Sequence, residues 1–219
     1  KPQRVVYELD RRLADDAIIA TDCGHNTGLA AQYLQIRGTQ RFGVSGTLAS
    51  MGGGLPYAIA AALAYPGRQV VAVVGDGGLG MSLAELATCA RYRLAVKVVV
   101  INNGSLGQIK WEQMMFLGNP EFGCELVAVD FGRVAEGLGV PARRISSPAQ
   151  VQEAIEELLG SEGPMLLDAV VDPDEPMLPP KRREEYMEKL QRALDAGTPG
   201  RGRIERALRE EPARTSLQD

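Results

Sequence analysis

Two apolar, β-branched runs separated by a helix-length stretch constrain the fold of this chain more than any other feature. The first run covers residues 69–74 and leads to Asp76, and the second covers residues 98–101 and leads to Asn103. A strand, a helix and a second strand form a β-α-β unit, whose right-handed crossover makes the two strands parallel. The sequence therefore predicts that Asp76 and Asn103 lie at the same edge of a sheet.

The residue types at these two strand ends indicate a site for a hard cation. A carboxylate and a carboxamide both offer oxygen ligands, which suit Mg²⁺ better than Zn²⁺. Mg²⁺ usually completes its coordination shell with water and phosphate oxygens, so a phosphorylated ligand is expected at this edge. Gly75, Gly77 and Gly78 lack a Cβ, which lets main-chain N–H groups approach a phosphate.

The same segment also fits two other hypotheses. Gly75-x-Gly77-x-x-Gly80 after a strand is the dinucleotide-binding pattern, which requires an acidic residue about 20 positions later to hold a ribose. Residues 95–97 are Ala-Val-Lys, so the pattern gives nicotinamide binding little support. Phosphotransfer with Asp76 as the nucleophile is the second alternative.

Composition and hydrophobic pattern predict one globular domain followed by a polar tail. The chain has 219 residues, 45% of them hydrophobic, and a formal net charge of -4, which argues against nucleic-acid binding. Strand-like runs alternate with helix-like stretches through residues 1–172. We therefore predict a doubly wound α/β fold with a mainly parallel sheet and helices on both faces.

Beyond residue 172 the pattern changes. Residues 173–180 contain four prolines and read as a stiff connector, because proline fits neither a central strand nor a helix interior. Residues 181–194 are expected to form a charged surface helix. Residues 197–219 are expected to be poorly ordered because of their Gly, Pro and charge content.

Cysteine usage and hydropathy are typical of a cytoplasmic protein. The three cysteines are widely spaced, which is typical of reduced packing residues; they are Cys23, Cys89 and Cys124. For Cys23 the alternative is a position near the site, because it borders Asp22 at the end of a strand. A transmembrane run and a basic, apolar leader are not apparent, so we expect a soluble mature segment. The start at Lys1 suggests a fragment or a processed chain.

Three segments together resemble a known cofactor motif. They resemble the thiamine-diphosphate motif of the pyruvate oxidase and acetolactate synthase family, and the similarity runs from about residue 10 to residue 180. The resemblance implies that family's carboxyl-terminal, diphosphate-binding domain and its fold. The segments are Gly75-Asp76-Gly77, Glu85-Leu86-Ala87-Thr88 and Asn102-Asn103-Gly104-Ser105-Leu106-Gly107.

The resemblance implies a ligand set for Mg²⁺ and for the diphosphate. Asp76, the Asn103 side chain and the Ser105 main-chain carbonyl would hold the metal, with two diphosphate oxygens and a water. His25 and Asn26 are similar in position to residues that bond the diphosphate, and an imidazole N–H suits that role. The resemblance also adds two cofactor-binding residues, Leu106 and Gly107.

Two further residues are implied at the cofactor rings. Met51 resembles the large apolar residue that sits under the cofactor and forces its bent, reactive conformation, which makes it a catalytic candidate; a thioether fills such a gap well. The alternative for Met51 is an ordinary core residue before a helix. The Ala49 main-chain carbonyl would accept a hydrogen bond from the cofactor's amino group.

The reaction is indicated by Glu112 and by two segments, since residues 108–113 and the Pro-rich connector look like those of pyruvate oxidases or quinone-dependent pyruvate dehydrogenases. Pyruvate oxidases usually carry a glutamate where acetolactate synthases carry a tryptophan, and Glu112 occupies this place while Trp111 is one position away. The resemblance therefore favours oxidative decarboxylation of a 2-oxo acid such as pyruvate, with FAD in the full-length enzyme. An acetolactate synthase or a non-oxidative decarboxylase is the alternative.

The resemblance also implies partners. The carboxylate that activates the cofactor in this family belongs to a pyrimidine-binding domain, for which this chain shows no match. We therefore expect that domain in the same or another chain, a homo-oligomer, and no activity without it. The remaining alternative is a cofactor-binding module that has no turnover of its own.

Overall fold

The computed structural model describes residues 1–178 and 183–210. Strands and helices alternate through most of this part of the chain. A π-helical segment, Gln113–Leu117, follows the sixth helix, and a 3-10 turn, Pro148–Gln150, precedes the eighth. The elements are α1 (Pro2–Asp10), β1 (Ile18–Thr21), α2 (His25–Tyr33), β2 (Arg41–Val44), α3 (Gly54–Ala64), β3 (Val70–Gly75), α4 (Asp76–Ser82), α5 (Glu85–Tyr92), β4 (Val96–Asn102), α6 (Gly107–Glu112), α7 (Phe131–Gly137), β5 (Ala142–Ile145), α8 (Val151–Gly160), β6 (Met165–Val170), α9 (Glu184–Asp195) and α10 (Arg201–Glu210).

The six strands form one parallel sheet in the order β2-β1-β3-β4-β6-β5. Alternate residues of β3 are buried on opposite faces: Val71 and Val73 pack with α1, α2 and α8, whereas Val70, Ala72 and Val74 pack with α3, α5 and α7. Burial on both faces explains why the strands read as continuous β-branched runs. The predicted doubly wound α/β fold is confirmed.

A close approach of α3 to the sheet depends on a glycine. A Cβ on Gly54 would lie 2.6 Å from Val74 Cγ1 and 2.9 Å from the Asp22 main-chain nitrogen. The first residue of α3 can therefore pack against the ends of β1 and β3 only without a side chain.

The described residues form two compact units. The first contains residues 1–104 and 126–171, and therefore the whole sheet. The second contains residues 105–125 and the chain from residue 172, whereas the sequence analysis places residues 105–125 with residues 1–172. The two segments of the first unit are joined next to residues 105–125, because the Leu126 N–H donates to the Gly104 carbonyl at 2.9 Å.

The second unit has its own core and a buried ion cluster. Trp111 and Met114 pack there with apolar residues of α9 and α10. The Lys110 ammonium lies 2.9 Å from the Asp174 carboxylate and 2.8 Å from that of Glu121. Arg203 of α10 also pairs with Asp174. These ion pairs fix the beginning of the Pro-rich connector within this unit.

Three helix predictions need correction. The helix-length stretch between the two apolar runs forms two helices, α4 and α5, because the chain already turns helical at Asp76, before α5 begins at Glu85. Helix α7, capped by the Asp130 side chain, was not predicted. Residues 201–210 form α10 instead of a poorly ordered tail, because Ile204 and Ala207 give this charged segment an apolar side that is buried. Residues 179–182 and 211–219 lie outside the described residues.

The cysteines and the helix lengths agree with the sequence analysis. Cys23, Cys89 and Cys124 are free; the last two are buried and Cys23 is half-buried. In the described part of the chain, every helix is too short or too polar to cross a membrane.

A buried lysine stabilises the amino edge of the sheet. Lys97 is 4% exposed, and its ammonium donates to the Ser161 carbonyl at 2.5 Å and to the Ser161 hydroxyl and the Gly163 carbonyl at 2.6 Å. Burial lowers the pKa of Lys97. Its hydrogen bonds join β4 to the turn that precedes β6.

We expect Lys97→Met to lower the free energy of unfolding by about 1–3 kcal/mol, since it leaves buried acceptors without their donor. Urea unfolding measures the difference. Lys189→Met is the control: Lys189 pairs with the exposed Glu185, and loss of that pair should leave the free energy of unfolding nearly unchanged. Equal stability of the Lys97→Met variant and the wild type would contradict this assignment.

Candidate functional site

Asp76 and the Asn103-Gly104 turn lie side by side at the carboxyl edge of the sheet. Strands β3 and β4 pair in parallel with Gly75 opposite Ile101, so the next residues of both strands leave the sheet together. The Gly104 N–H donates to Asp76 Oδ2 at 2.6 Å, and the Gly77 N–H donates to Asp76 Oδ1 at 2.9 Å. The arrangement expected from the two apolar runs is therefore present in the structure.

The environment of Asp76 favours a cation nearby. Asp76 and Asn103 are each 7% exposed. Burial raises the pKa of Asp76, the N–H groups of Gly77 and Gly104 lower it, and the negative charge of Asp168 raises it further. A divalent cation would offset this cost of burying a carboxylate.

His25 and Asn26 begin α2 directly after the tip of β1. The His25 ring is 7% exposed, and burial lowers its pKa to about 4, so the imidazole is neutral at physiological pH. Its Nδ1 is buried without a hydrogen-bond partner in the structure. A buried polar atom of this kind usually has a partner, so His25 has capacity for a ligand.

Asn26 differs from His25 because the NH₂ group of its side chain already donates to other residues. Its Nδ2 donates to Thr21 Oγ1 at 2.7 Å, to Asp22 Oδ1 at 2.8 Å and to the Val73 carbonyl at 3.0 Å. These contacts tie the start of α2 to β1 and β3. Of these two residues, His25 is therefore the one with a side-chain nitrogen that remains available to a ligand.

The loop between β2 and α3 carries Ala49 and Met51 and is attached to the tip of β1. The Cys23 N–H donates to the Ser50 carbonyl at 3.2 Å, and the Cys23 thiol donates to the Ser45 carbonyl at 3.3 Å. Ala49 has φ 49°, a left-handed conformation that costs a residue with a Cβ about 1 kcal/mol or more. Met51 is half-buried. Strained backbone of this kind concentrates at functional sites.

Asp22 is a site residue that the sequence analysis noted only as a neighbour of Cys23. It is 1% exposed, and its carboxylate accepts hydrogen bonds from Asn26, Gly52 and Gly75. Burial raises its pKa, and these hydrogen bonds lower it. Asp22 directly follows β1, as Asp76 directly follows β3. This shared position after a strand is the sequence signal that could have identified Asp22 as a site residue.

Asp168 is a second buried carboxylate that the sequence analysis missed. It is fully buried in β6 and accepts hydrogen bonds from Asn102 Nδ2 at 2.9 Å and from the Phe131 N–H at 3.1 Å. Arg144 pairs with Oδ2, the oxygen that also accepts the Phe131 N–H. Asn102 is thereby held toward β6. A charged residue within an apolar strand is rarely buried without a partner, so the run 165–170 did carry a signal.

The remaining candidates belong to the second unit. The Gly107 N–H donates to the Ser105 carbonyl at 2.8 Å, and the Leu106 N–H donates to the Cys124 carbonyl at 2.8 Å. Glu112 is half-buried and accepts a hydrogen bond from Gln108 Nε2 at 2.9 Å. Trp111, in contrast, is 1% exposed and belongs to the core of this unit.

The geometry also bears on the alternative sites. Within residues 1–178 and 183–210, no group of three His, Cys, Asp or Glu side chains could hold a metal ion. A dinucleotide site needs an acidic residue at the carboxyl end of β4, but that strand ends at Asn102 and is followed by Asn103. The glycine pattern after β3 therefore lacks the carboxylate that would hold a ribose.

Comparison with known proteins identifies the family of this chain. Residues 22–169 match the family described as thiamine pyrophosphate enzyme, C-terminal TPP binding domain. Thiamine pyrophosphate (TPP) is the same compound as thiamine diphosphate.

Three relatives illustrate the similarity. The chain is 40% identical over 83% of its length to YdaP of Bacillus subtilis (strain 168), a protein named as thiamine pyrophosphate-containing. It is 37% identical over 82% of its length to a protein of Methanococcus aeolicus named as an acetolactate synthase large subunit. It is 39% identical, again over 82%, to the chloroplastic acetolactate synthase 2 of Zea mays.

The chain spans only 29% to 31% of the length of these three relatives. Several relatives are named as acetolactate synthases, which agrees with the alternative reaction and not with the pyruvate oxidase interpretation. The family match and the sheet-edge geometry together confirm the resemblance found in the sequence: the chain belongs to the thiamine pyrophosphate enzymes, as their C-terminal TPP-binding domain.

Proposed function

We propose that this chain binds thiamine diphosphate through Mg²⁺ at the carboxyl edge of its sheet. The observation that supports this most directly is the 2.6 Å hydrogen bond from the Gly104 N–H to Asp76 Oδ2, which holds the two strand tips together. Asp76 and the Asn103 side chain would hold the metal. The main-chain carbonyl of Ser105 is the third proposed protein ligand.

The donor set suits the metal. Each carboxylate oxygen of Asp76 accepts one main-chain N–H bond and retains a lone pair for a cation. Oxygen ligands of this kind select Mg²⁺ over softer metals. When bound, thiamine diphosphate supplies the ring that stabilises a carbanion during decarboxylation of a 2-oxo acid.

His25 and the glycines after β3 are the proposed diphosphate ligands. The neutral His25 ring can donate one N–H bond to a phosphate oxygen. Its buried Nδ1 has no hydrogen-bond partner in the structure, which supports this role. The main chain at Gly75, Gly77 and Gly78 would approach the same group. Leu106 and Gly107 are the remaining proposed cofactor-binding residues. Asn26 would position His25 through its bonds to β1 and β3.

Met51 and Ala49 would act on the rings of the cofactor. Ala49 is held in its left-handed conformation by a loop bonded to Cys23 at both ends, which fixes the direction of its carbonyl. That carbonyl would accept from the amino group, and Met51 would support the bent conformation. The strain at Ala49 supports this assignment.

For the whole protein we propose an acetolactate synthase-like reaction, in which a 2-oxo acid such as pyruvate is decarboxylated and its carbon fragment joined to a second 2-oxo acid. The names of the relatives support it. A pyrimidine-binding domain from the same or another chain would supply the activating carboxylate, in a homo-oligomer. Without that domain, the chain would be a cofactor-binding module.

One observation favours an oxidative second candidate. Glu112 is half-buried and accepts a hydrogen bond from Gln108, whereas Trp111 is buried in the core of the second unit. Shifting the sequence comparison by one residue therefore does not put the tryptophan in the place of Glu112. This candidate is a pyruvate oxidase-like reaction that would need an electron acceptor such as FAD.

We expect Asp76→Ala to raise the dissociation constant of Mg²⁺-dependent thiamine diphosphate binding by more than about tenfold, because the metal loses its charged ligand. Titration calorimetry on the full natural chain, with and without Mg²⁺, measures this. Asp15→Ala is the control, since that side chain is 88% exposed and lies before β1. Unchanged binding by the Asp76→Ala variant would remove the metal assignment.

We expect Glu112→Gln to change the use of the 2-oxo acid more than the binding of the cofactor. Product analysis of the full natural chain separates the two reactions: acetolactate from pyruvate supports the main proposal, and acetate with a reduced acceptor supports the oxidative candidate. Equal losses in cofactor binding and turnover would instead assign Glu112 to the structural frame.

The pKa of His25 has a consequence for stability without cofactor. Between the folded value of about 4 and the ordinary value of 6.5, the unfolded chain binds more protons than the folded chain. Stability therefore falls as the pH drops through this window. His25 is the only histidine, so a His25→Gln variant isolates its contribution.

We expect the wild type to lose on the order of 3 kcal/mol more than the His25→Gln variant between about pH 7 and pH 4. Urea unfolding across this range, followed by circular dichroism, measures both curves. Parallel curves would show that His25 is not held neutral by burial.

A further inference from the structure

Asp22 is a buried carboxylate that lies between three segments of the proposed cofactor site. It follows β1, in the same place relative to its strand as Asp76 relative to β3. The proposed function gives Asp22 no contact with the metal or the cofactor. Its carboxylate is nevertheless 1% exposed, which carries a large desolvation cost unless hydrogen bonds offset it.

Each hydrogen bond described at the Asp22 carboxylate comes from a different segment of the site. The Gly52 N–H donates to Oδ2 at 3.2 Å, from the loop that carries Ala49 and Met51. The Gly75 N–H donates to Oδ1 at 3.4 Å, from the residue before Asp76. Asn26 Nδ2 donates to Oδ1 at 2.8 Å, from the start of α2 beside His25.

The shape of α4 is matched to the same carboxylate. A Cβ on Gly78 would overlap Asp22 Oδ2, whereas a Cβ on Gly80 in the same helix would meet nothing within 4 Å. Position 78 therefore needs a glycine because a side chain there would collide with Asp22, and not only because a phosphate must reach the main chain. Helix α4 can approach β1 closely because the carboxylate fills the space of the missing side chain.

We propose that Asp22 is the positioning residue that fixes these three segments and α4 in the geometry that binds the diphosphate and its metal. The inference rests on the proposed function. The described partners of the carboxylate are all donors, so the ionised form satisfies them and an amide in its place would not. Asp22 acts through Gly52, Gly75 and Asn26 and does not touch the reacting groups.

Asp22→Asn is the most direct test, because it keeps the size of the side chain and changes only what it accepts. An amide NH₂ would face at least one N–H donor, so at least one of the three segments would lose its anchor. We expect the dissociation constant for thiamine diphosphate with Mg²⁺ to rise by about tenfold or more in the full natural chain, as for other supporting groups of metal sites.

Lys97→Met controls for loss of stability, because it removes a buried polar network at the opposite edge of the sheet. Titration calorimetry is carried out well below the unfolding temperature of both variants. Wild-type affinity in the Lys97→Met variant with weakened affinity in the Asp22→Asn variant supports the proposal. Wild-type affinity in both would overturn it.

The two glycines of α4 give a second test that leaves Asp22 in place. Gly78→Ala would push a methyl group against the carboxylate, and Gly80→Ala would not, so only the first should weaken cofactor binding. If this effect passes through Asp22, adding Gly78→Ala to an Asp22→Ala variant should cause little further loss. An equal effect of the two glycine substitutions, or a full further loss in the double variant, would contradict the proposal.

The same titrations separate this inference from the proposed function. A wild-type chain that binds thiamine diphosphate with Mg²⁺ while Asp22→Asn binds equally well would refute the role of Asp22 alone. A wild-type chain that does not bind the cofactor would refute both, since the positioning role depends on the site.

Discussion

The contact between two neighbouring strand tips is the interaction on which the rest of the site depends. Parallel pairing of β3 and β4 places Asp76 beside Gly104, and the 2.6 Å hydrogen bond between them holds a buried carboxylate next to Asn103. The register of β-branched strands buried on both faces leaves little freedom for this arrangement, because a slip of one residue would reverse the face of every side chain. A metal bound here would meet ligands that are already in place.

Buried polar groups, and not apolar packing alone, shape the carboxyl edge of the sheet. Asp22 and Asp168 are almost completely buried, and each is compensated by hydrogen bonds from several segments. Such fully bonded networks hold loops in one arrangement more strictly than apolar contacts do. Lys97 has the corresponding role at the amino edge, where it fixes a turn. The doubly wound fold thus keeps the supporting networks of its two edges apart.

The sequence predicts the parallel sheet and the placement of Asp76 and Asn103 at one edge of it, because long β-branched runs and strand ends are local signals. It does not predict the contacts made by Asp22 and Asp168, since their partners are far away in the chain and no periodicity reports them. Helix α10 is not predicted because its segment is mostly charged. Its few apolar residues suffice for a helix only because the second unit has a core that buries them. The prediction of the reaction rests on Glu112, the residues around it and the Pro-rich connector, and the names of the relatives favour the alternative reaction. Short segments of this kind carry little information about chemistry.

The claim that Asp76 and Asn103 share one divalent ion is tested most directly by locating that ion. Crystals of the full natural chain grown with thiamine diphosphate and Mn²⁺ in place of Mg²⁺ would reveal the metal by anomalous scattering. We expect one peak within about 2.0–2.3 Å of an Asp76 carboxylate oxygen and the Asn103 side-chain oxygen, with diphosphate oxygens completing its shell. A peak that contacts only one of these two side chains, or a bound cofactor whose metal lies elsewhere, would contradict the account.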